Sequence, residues 1–224
     1  MRKILCTFAA CLFLAAHMYA AGQNQLDRDV TAGWIQMKPG DRWTYDCQSK
    51  SGDRQNPAVQ TWTTEEAVES VVRVPEGTVV VKNVIPRGRS ERSYITLWSG
   101  SSFLIHDNCL YFLGPKDWDP KRQQLVGSFK KELAEGSAQP DLCFPLDVGR
   151  QWGGFGDIWH VVGFGRSDLA APNYAESFHL TGRIGSGGAT DLWFAKGIGI
   201  VAMHYLHQGT YDEFTKKLTD VQLK

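Results

Sequence analysis

From Trp43 onward the chain is written in short stretches of period-two alternation, punctuated by turn residues about every ten positions. Trp43, Tyr45 and Cys47 fall in one phase and Arg42, Thr44 and Asp46 in the other, the pattern of a strand with one buried face. Ser49 to Pro57 is rich in turn formers, and Val59 to Val74 is dense in Val and Thr, residues that suit a pleated surface. Pro75-Glu76-Gly77 turns the chain into Thr78–Lys82, and strands are expected around Ser93–Trp98, Ser102–His106 and Cys109–Leu113. The pattern resumes at Ile158–Phe164, Ser177–Ile184, Ala189–Phe194, Ile198–His207 and Thr210–Val221. Gaps this short join antiparallel neighbours. There is no β-α-β alternation, which argues against a doubly wound parallel sheet. The expected fold is mainly β: a curled antiparallel sheet or partly open barrel.

One amphipathic helix, over about 120–135, is expected to lie against that sheet. Asp119 can cap it, Pro120 suits the first helical position, and Gly136 can stop it. Leu125, Val126, Phe129 and Leu133 share one face, a stripe narrow enough for a helix resting on a sheet.

The first twenty residues carry Arg2 and Lys3, then an apolar run from Ile4 to Ala16, with small residues at Ala20 and Ala21. This reads as a signal peptide over 1–20, too short for a membrane-spanning helix. Cys11 sits inside the apolar run, where an acylation site does not belong. Residues 21–224 read as a single β-rich domain in the periplasm or outside the cell, with no transmembrane segment. Basic and acidic residues balance at 24 each, and losing the leader removes two positive charges. Arg87, Arg89 and Arg92 are interrupted by Glu91 and read as a solvated hairpin loop, so nothing in the charge pattern calls for nucleic acid.

A seven-residue pattern occurs twice. Met37-Lys38-Pro39-Gly40-Asp41-Arg42-Trp43 has its counterpart in Leu146-Asp147-Val148-Gly149-Arg150-Gln151-Trp152. Each has an apolar residue, a polar turn with Gly, and a Trp at the head of a β-patterned region. Two related half-sheets, about 37–115 and 142–224, and chance similarity are both open readings. Either way Gly40, Trp43, Gly149 and Trp152 are expected to be structural.

Removing the leader leaves Cys47, Cys109 and Cys143, an odd count that in an oxidising compartment implies one bridge. Sequence does not fix the pairing. Cys109–Cys143 is preferred over the two pairings with Cys47, and would contribute roughly 3 kcal/mol by loop closure. Cys47, in line with Trp43 and Tyr45, is expected to be buried and inert.

No set of groups converges on a chemistry. His204 and His207 have the spacing of a helical metal pair, but in a strand that odd separation sends them to opposite faces. Gly185-Ser186-Gly187-Gly188 bridges two alternating stretches, as a hairpin does, and lacks the strand-to-helix context of a nucleophile. Lys196-Gly197-Ile198-Gly199 does not open a helix, as a phosphate loop would. No cofactor or metal is expected. Trp118 and Trp159 are the candidate ligand platforms, with a packing role before the helix as the competing reading for Trp118.

Phe144-Pro145-Leu146-x-x-Gly149-x-x-Trp152 and Trp193-Phe194-Ala195-x-Gly197-Ile198-Gly199-Ile200-Val201 resemble motifs of exported bacterial proteins of uncharacterised function. The resemblance covers mainly the C-terminal third, together with the Pro39–Trp43 turn. It implies a curled antiparallel sheet with a helix against it, broadly similar to periplasmic lipoprotein carriers. Its motifs are structural, so Trp193, Gly197 and Gly199 join the structural set and no catalytic residue carries over. The chain departs from a lipoprotein in lacking a well-placed acylated Cys. The favoured function is non-enzymatic: a curved, aromatic-lined sheet binding an apolar or polymeric ligand or an envelope protein. The alternative is a secreted hydrolase with a site assembled from distant residues such as Asp157, His160 and His179.

Overall fold

Alternating strands with short connections can bury their apolar phase by curling the sheet around it, and among the described residues twelve antiparallel strands do so. In this computed structural model the described residues are 33–35, 37–87, 102–114, 116–154, 157–166, 169, 174, 176–184, 188–207 and 209–224. The expected leader, the strand at Ser93–Trp98, the Arg89 and Arg92 loop and Ser186 lie outside them.

The first run is β1 (Arg42–Gly52), β2 (Pro57–Val74), β3 (Gly77–Arg87), β4 (Ser102–His106) and β5 (Cys109–Leu113). A small hairpin comes next, β6 (Trp118–Asp119) and β7 (Gln124–Leu125), then helix α1 (Gly127–Ala134) and a short strand β8 (Leu142–Cys143). The second run is β9 (Gln151–Gly154), β10 (Asp157–Gly165), β11 (Ser177–Ile184), β12 (Gly188–Ala195), β13 (Gly199–His207) and β14 (Asp212–Gln222). In space the order is β8-β5-β4-β3-β2-β1-β14-β13-β12-β11-β10-β9. The two runs meet where β1 pairs with β14, and each winds outward from that seam. Only residues 144–150 separate the two edge strands, β8 and β9, so this strap draws the edges together and the sheet is nearly closed like a barrel.

The inward phase of β1 is the one expected: Trp43, Tyr45 and Cys47 are buried, among Phe103, Phe144, Phe194 and Phe214. β1 itself runs on to Gly52, further than the turn residues of 49–57 suggest. Its polar end pairs with Pro57–Gln60 of β2 and with Asp212–Phe214 of β14, so backbone pairing carries it past the buried part. A second cluster sits on the outside of β3–β5, where Val79, Leu104 and Tyr111 are covered by Trp118, Leu125, Phe129 and Leu133.

The helix therefore lies against the sheet as expected, but it begins at Gly127 and not near Pro120. Asp119 accepts from the amides of Lys121 and Arg122 at 2.9 and 3.1 Å, closing a turn instead of opening a helix. That turn brings Leu125 opposite Trp118, and burying this pair outweighs the local capping signal. Gly136, at φ +69, ends the helix where the sequence places the stop.

Cys109 and Cys143 are bridged, and they face each other across the β5–β8 pairing. Cys47 stays outside the bridge, buried, with its sulfur 3.9 Å from Thr64 Oγ1.

The two similar sequence stretches make the same turn. The Gly40 amide donates to Val68 O and the Val68 amide to Asp41 O; likewise Gly149 donates to Val161 O and Val161 to Arg150 O. Asp41 N to Lys38 O is matched by Arg150 N to Asp147 O, and the glycines share φ near +92° and +91°. Each turn then delivers its Trp to the second residue of a new strand, opposite Glu66 in one case and Trp159 in the other.

Candidate functional site: a partly apolar cavity inside the curled sheet

β1 hangs its first two inward rings across the interior. Trp43 Nε1 donates to Ile198 O at 2.8 Å and Tyr45 Oη donates to Ile200 O at 3.1 Å, so the first run is tied to the turn that opens β13. These bonds hold the rings upright, and they flank a cavity of about 40 Å3 within an opening of about 450 Å3 that is continuous with solvent. Phe103, Phe112 and Leu142 wall it from the β4–β5–β8 side, and Phe194, Gly199 and Ile200 from the other. Ile35 and Met37, from the segment leading into β1, fill its remaining side. The enclosed part has room for a few waters, and it opens to solvent.

One part of the wall is charged. Glu66 of β2 is 1% exposed and pairs with both Lys82 of β3 and Lys216 of β14. The Lys216 ammonium also lies 3.9 Å from the centre of the Tyr45 ring, and that of Lys82 lies 5.5 Å from the Trp43 ring. Burial alone would raise the Glu66 carboxyl, but the charges of Lys216 and Lys82 outweigh it and hold it below the usual range. Burial pushes the Lys82 ammonium down, against the pull of Glu66 and with the help of Lys216. Burial, and then the Glu66 charge, raise the Tyr45 phenol well above its ordinary value.

Sequence reading missed this cluster. Its trace was present: Phe214-Lys216-Leu218 and Thr64-Glu66-Val68 each carry a charge in the phase that their neighbours bury. A charge in the apolar phase of a strand is costly unless it is paired, so such positions are worth singling out.

The residues singled out from sequence are dispersed. Trp159 is 3% exposed, its ring laid on Gly182, where an added Cβ would come within 2.6 Å of it. Trp118 is 7% exposed and belongs to the cluster outside β3–β5, opposite Leu125. Trp152 is half-buried and reaches Asp141 O at 3.4 Å. Trp193 stands on the outer face, stacked on His179 with ring centres 4.6 Å apart. The Gly197 amide donates to Trp34 O, and Gly199 lines the cavity beside Trp43.

The hydrolase candidates are placed apart where they are described: His179 binds Asp191 Oδ1 of β12 at 2.9 Å, His160 lies opposite Gln151 and Thr181 in the strand ladder, and the Asp157 side chain is outside the described residues. His204 and His207 diverge: His204 lies between Asp191 and Glu213, whereas His207 accepts from the Thr210 amide. Among the described residues no group of three or more His, Cys, Asp or Glu is placed to hold a metal ion. Nor is any helix among them long and apolar enough to cross a membrane.

No family model matches the chain, and no curated protein matches it either. Solved structures do. An exported protein with a YmcC-like fold from Bacteroides fragilis is 13% identical, with TM-score 0.44, over 85% of this chain and 99% of its own. A Parabacteroides distasonis protein described as a lipoprotein is 8% identical, with TM-score 0.41, over 84% and 97%. A LolA superfamily protein from Nitrosomonas europaea is 11% identical, with TM-score 0.31, over 89% and 93%. At these values the likeness extends no further than the general course of the chain.

Proposed function

We propose that this is an exported, non-enzymatic binding protein of the bacterial envelope that receives an apolar ligand inside its curled sheet. The observation that carries the proposal is the cavity between β1, β5 and the start of β13, open to solvent and walled mostly by apolar and aromatic side chains. Export is supported by the Arg2–Ala16 leader pattern and by the Cys109–Cys143 bridge, which suits an oxidising compartment. The enclosed space is small, so a chain-like ligand would enter by displacing Ile35 and Met37, which line one side of it.

The test is native mass spectrometry of protein purified from the periplasm of an expressing bacterium, followed by solvent extraction. A stoichiometric apolar small molecule, lost when Gly199 is replaced by a residue that fills the cavity (Gly199→Leu), is the expected result. Protein that emerges empty and binds no apolar probe when dodecanol is added would overturn the proposal.

A further inference from the structure

The charged wall of the cavity gives the ligand a head group. Glu66, Lys82 and Lys216 together place two ammonium groups and one carboxylate in the interior, with side chains 1%, 10% and 2% exposed. Among the described residues both ammonium groups form their ion pairs with Glu66. Removing an uncompensated charge from water is expensive, and aromatic rings offset only part of the cost. Lys82 is the member of the pair that both lines the cavity and keeps some exposure, so its side of the cluster faces the space a ligand would occupy. Beyond it the walls are apolar: Phe103, Leu110 and Phe112 on one side, Phe194 and Ile198 on the other. A cationic end and an apolar body in one cavity match an amphiphile of opposite head charge.

We propose that the ligand is a single-chain amphiphile with a monoanionic head, a carboxylate or phosphate monoanion, whose head binds Lys82 and whose chain lies against Phe103, Phe112 and Phe194. This rests on the cavity being a ligand site. The head would neutralise the cluster, and a charge-assisted bond in a dry site is among the stronger polar contacts available. The Lys216–Glu66 pair would remain behind it as a neutral support, turned toward Tyr45.

The experiment is titration of the full mature chain, followed by Trp fluorescence and calorimetry, with four probes: dodecanoate, dodecyl phosphate, dodecanol and dodecyltrimethylammonium. Acetate and inorganic phosphate supply the heads without the chain. The expected result is that one or both anionic dodecyl probes bind at least about tenfold more tightly than dodecanol, which is about 1.4 kcal/mol. The cationic probe should bind more weakly than dodecanol, and the free anions should not compete at equal concentration. Lys82→Met keeps most of the length of the side chain and leaves the neutral Lys216–Glu66 pair. It should abolish the preference for anions over dodecanol.

Equal binding of dodecanoate, dodecyl phosphate and dodecanol by the unmodified chain would sink the head-group assignment and leave the apolar site standing. Absence of binding by every dodecyl probe sinks both. Competition by acetate or inorganic phosphate would show an anion site that needs no chain, and so overturn the amphiphile. The comparison among probes on the unmodified protein decides the matter even if Lys82→Met fails to fold.

Discussion

The turns at Lys38–Trp43 and Asp147–Trp152 are the same local device in two different settings. Their hydrogen bonds and left-handed glycines correspond one for one, yet Trp43 is 2% exposed in the centre of the molecule and Trp152 is only half-buried. Trp43 crosses the interior to Ile198, whereas Trp152 reaches back over the strap to Asp141. The residue after the glycine differs as well. Asp41 is buried, accepting from the amides of Lys38 and Lys224 at 2.6 and 2.8 Å, and so ties Lys224 to the turn. Arg150 is instead partly exposed and donates to Pro145 O within the strap. The lesson is that a turn can be specified locally while the use made of its tryptophan depends on which strand lies opposite. We propose on this basis that the two turns head two related half-sheets, one at the seam and one at the edge.

The largest expected contrast is between the two tryptophans. Trp43→Ala should cost about 3–5 kcal/mol in chemical denaturation, and Trp152→Ala roughly 1–3, because less area leaves the core. Equal costs would break the comparison, since they would put both rings in equivalent surroundings. Next, replacing Cys109 and Cys143 together by Ala should lower stability by roughly 3 kcal/mol through the unfolded-state entropy of the loop. Protection of backbone amides should fall first at β8 and in the strap and last at the β1–β14 seam; loss at the seam first would contradict an edge role for the second turn.

A smaller effect tests the likeness itself. Gly149→Ala has open space around the new Cβ, so its cost is that of a left-handed φ alone, on the order of 1–3 kcal/mol. Gly40→Ala should cost more, because its Cβ also meets the Lys224 side chain, whose flexible end must move. A Gly149→Ala protein as stable as the parent would refute a shared strained geometry.

The smallest expected effect concerns the outer face of the second run. Asp191, whose carboxylate lies 3.9 Å from the ring, holds His204 above its ordinary pKa, burial opposes, and Glu213 adds to the rise. A raised folded-state value means the contribution is complete below the unfolded pKa of about 6.5 and fades as pH rises through the folded value. Thermal melts of the parent and of His204→Gln should therefore differ most near about pH 5.5 and converge in mildly alkaline buffer. A difference that grows with pH would have the wrong sign.

Most strand positions were legible because period-two alternation is a direct record of which side of a sheet faces the core. Ile158–Phe164, Ala189–Phe194 and Ile198–His207 fall within or nearly within observed strands for that reason. Helix α1 was legible from Phe129, Leu133 and Gly136, but its start was not. Asp119 and Pro120 serve a tight turn as well as a helix cap, and the contact of Trp118 with Leu125, invisible locally, chose between them. The charged cluster was legible only as single charges set in buried phases, not as a cluster. Glu66, Lys82 and Lys216 come from three strands, and the longest ion pair between them in sequence spans 150 residues.

By itself the sequence determined the alternating part of most described strands, the two glycine turns and the helix stop, because each depends on residues within a few positions of one another. It also marked, without explaining, the charges set in buried phases. Only the tertiary structure decided that the sheet winds from a β1–β14 seam to edges joined by residues 144–150, which tryptophan is central, and which cysteine faces Cys143. Those outcomes depend on the curvature that lets distant strands share one interior, a quantity no local stretch of the chain contains.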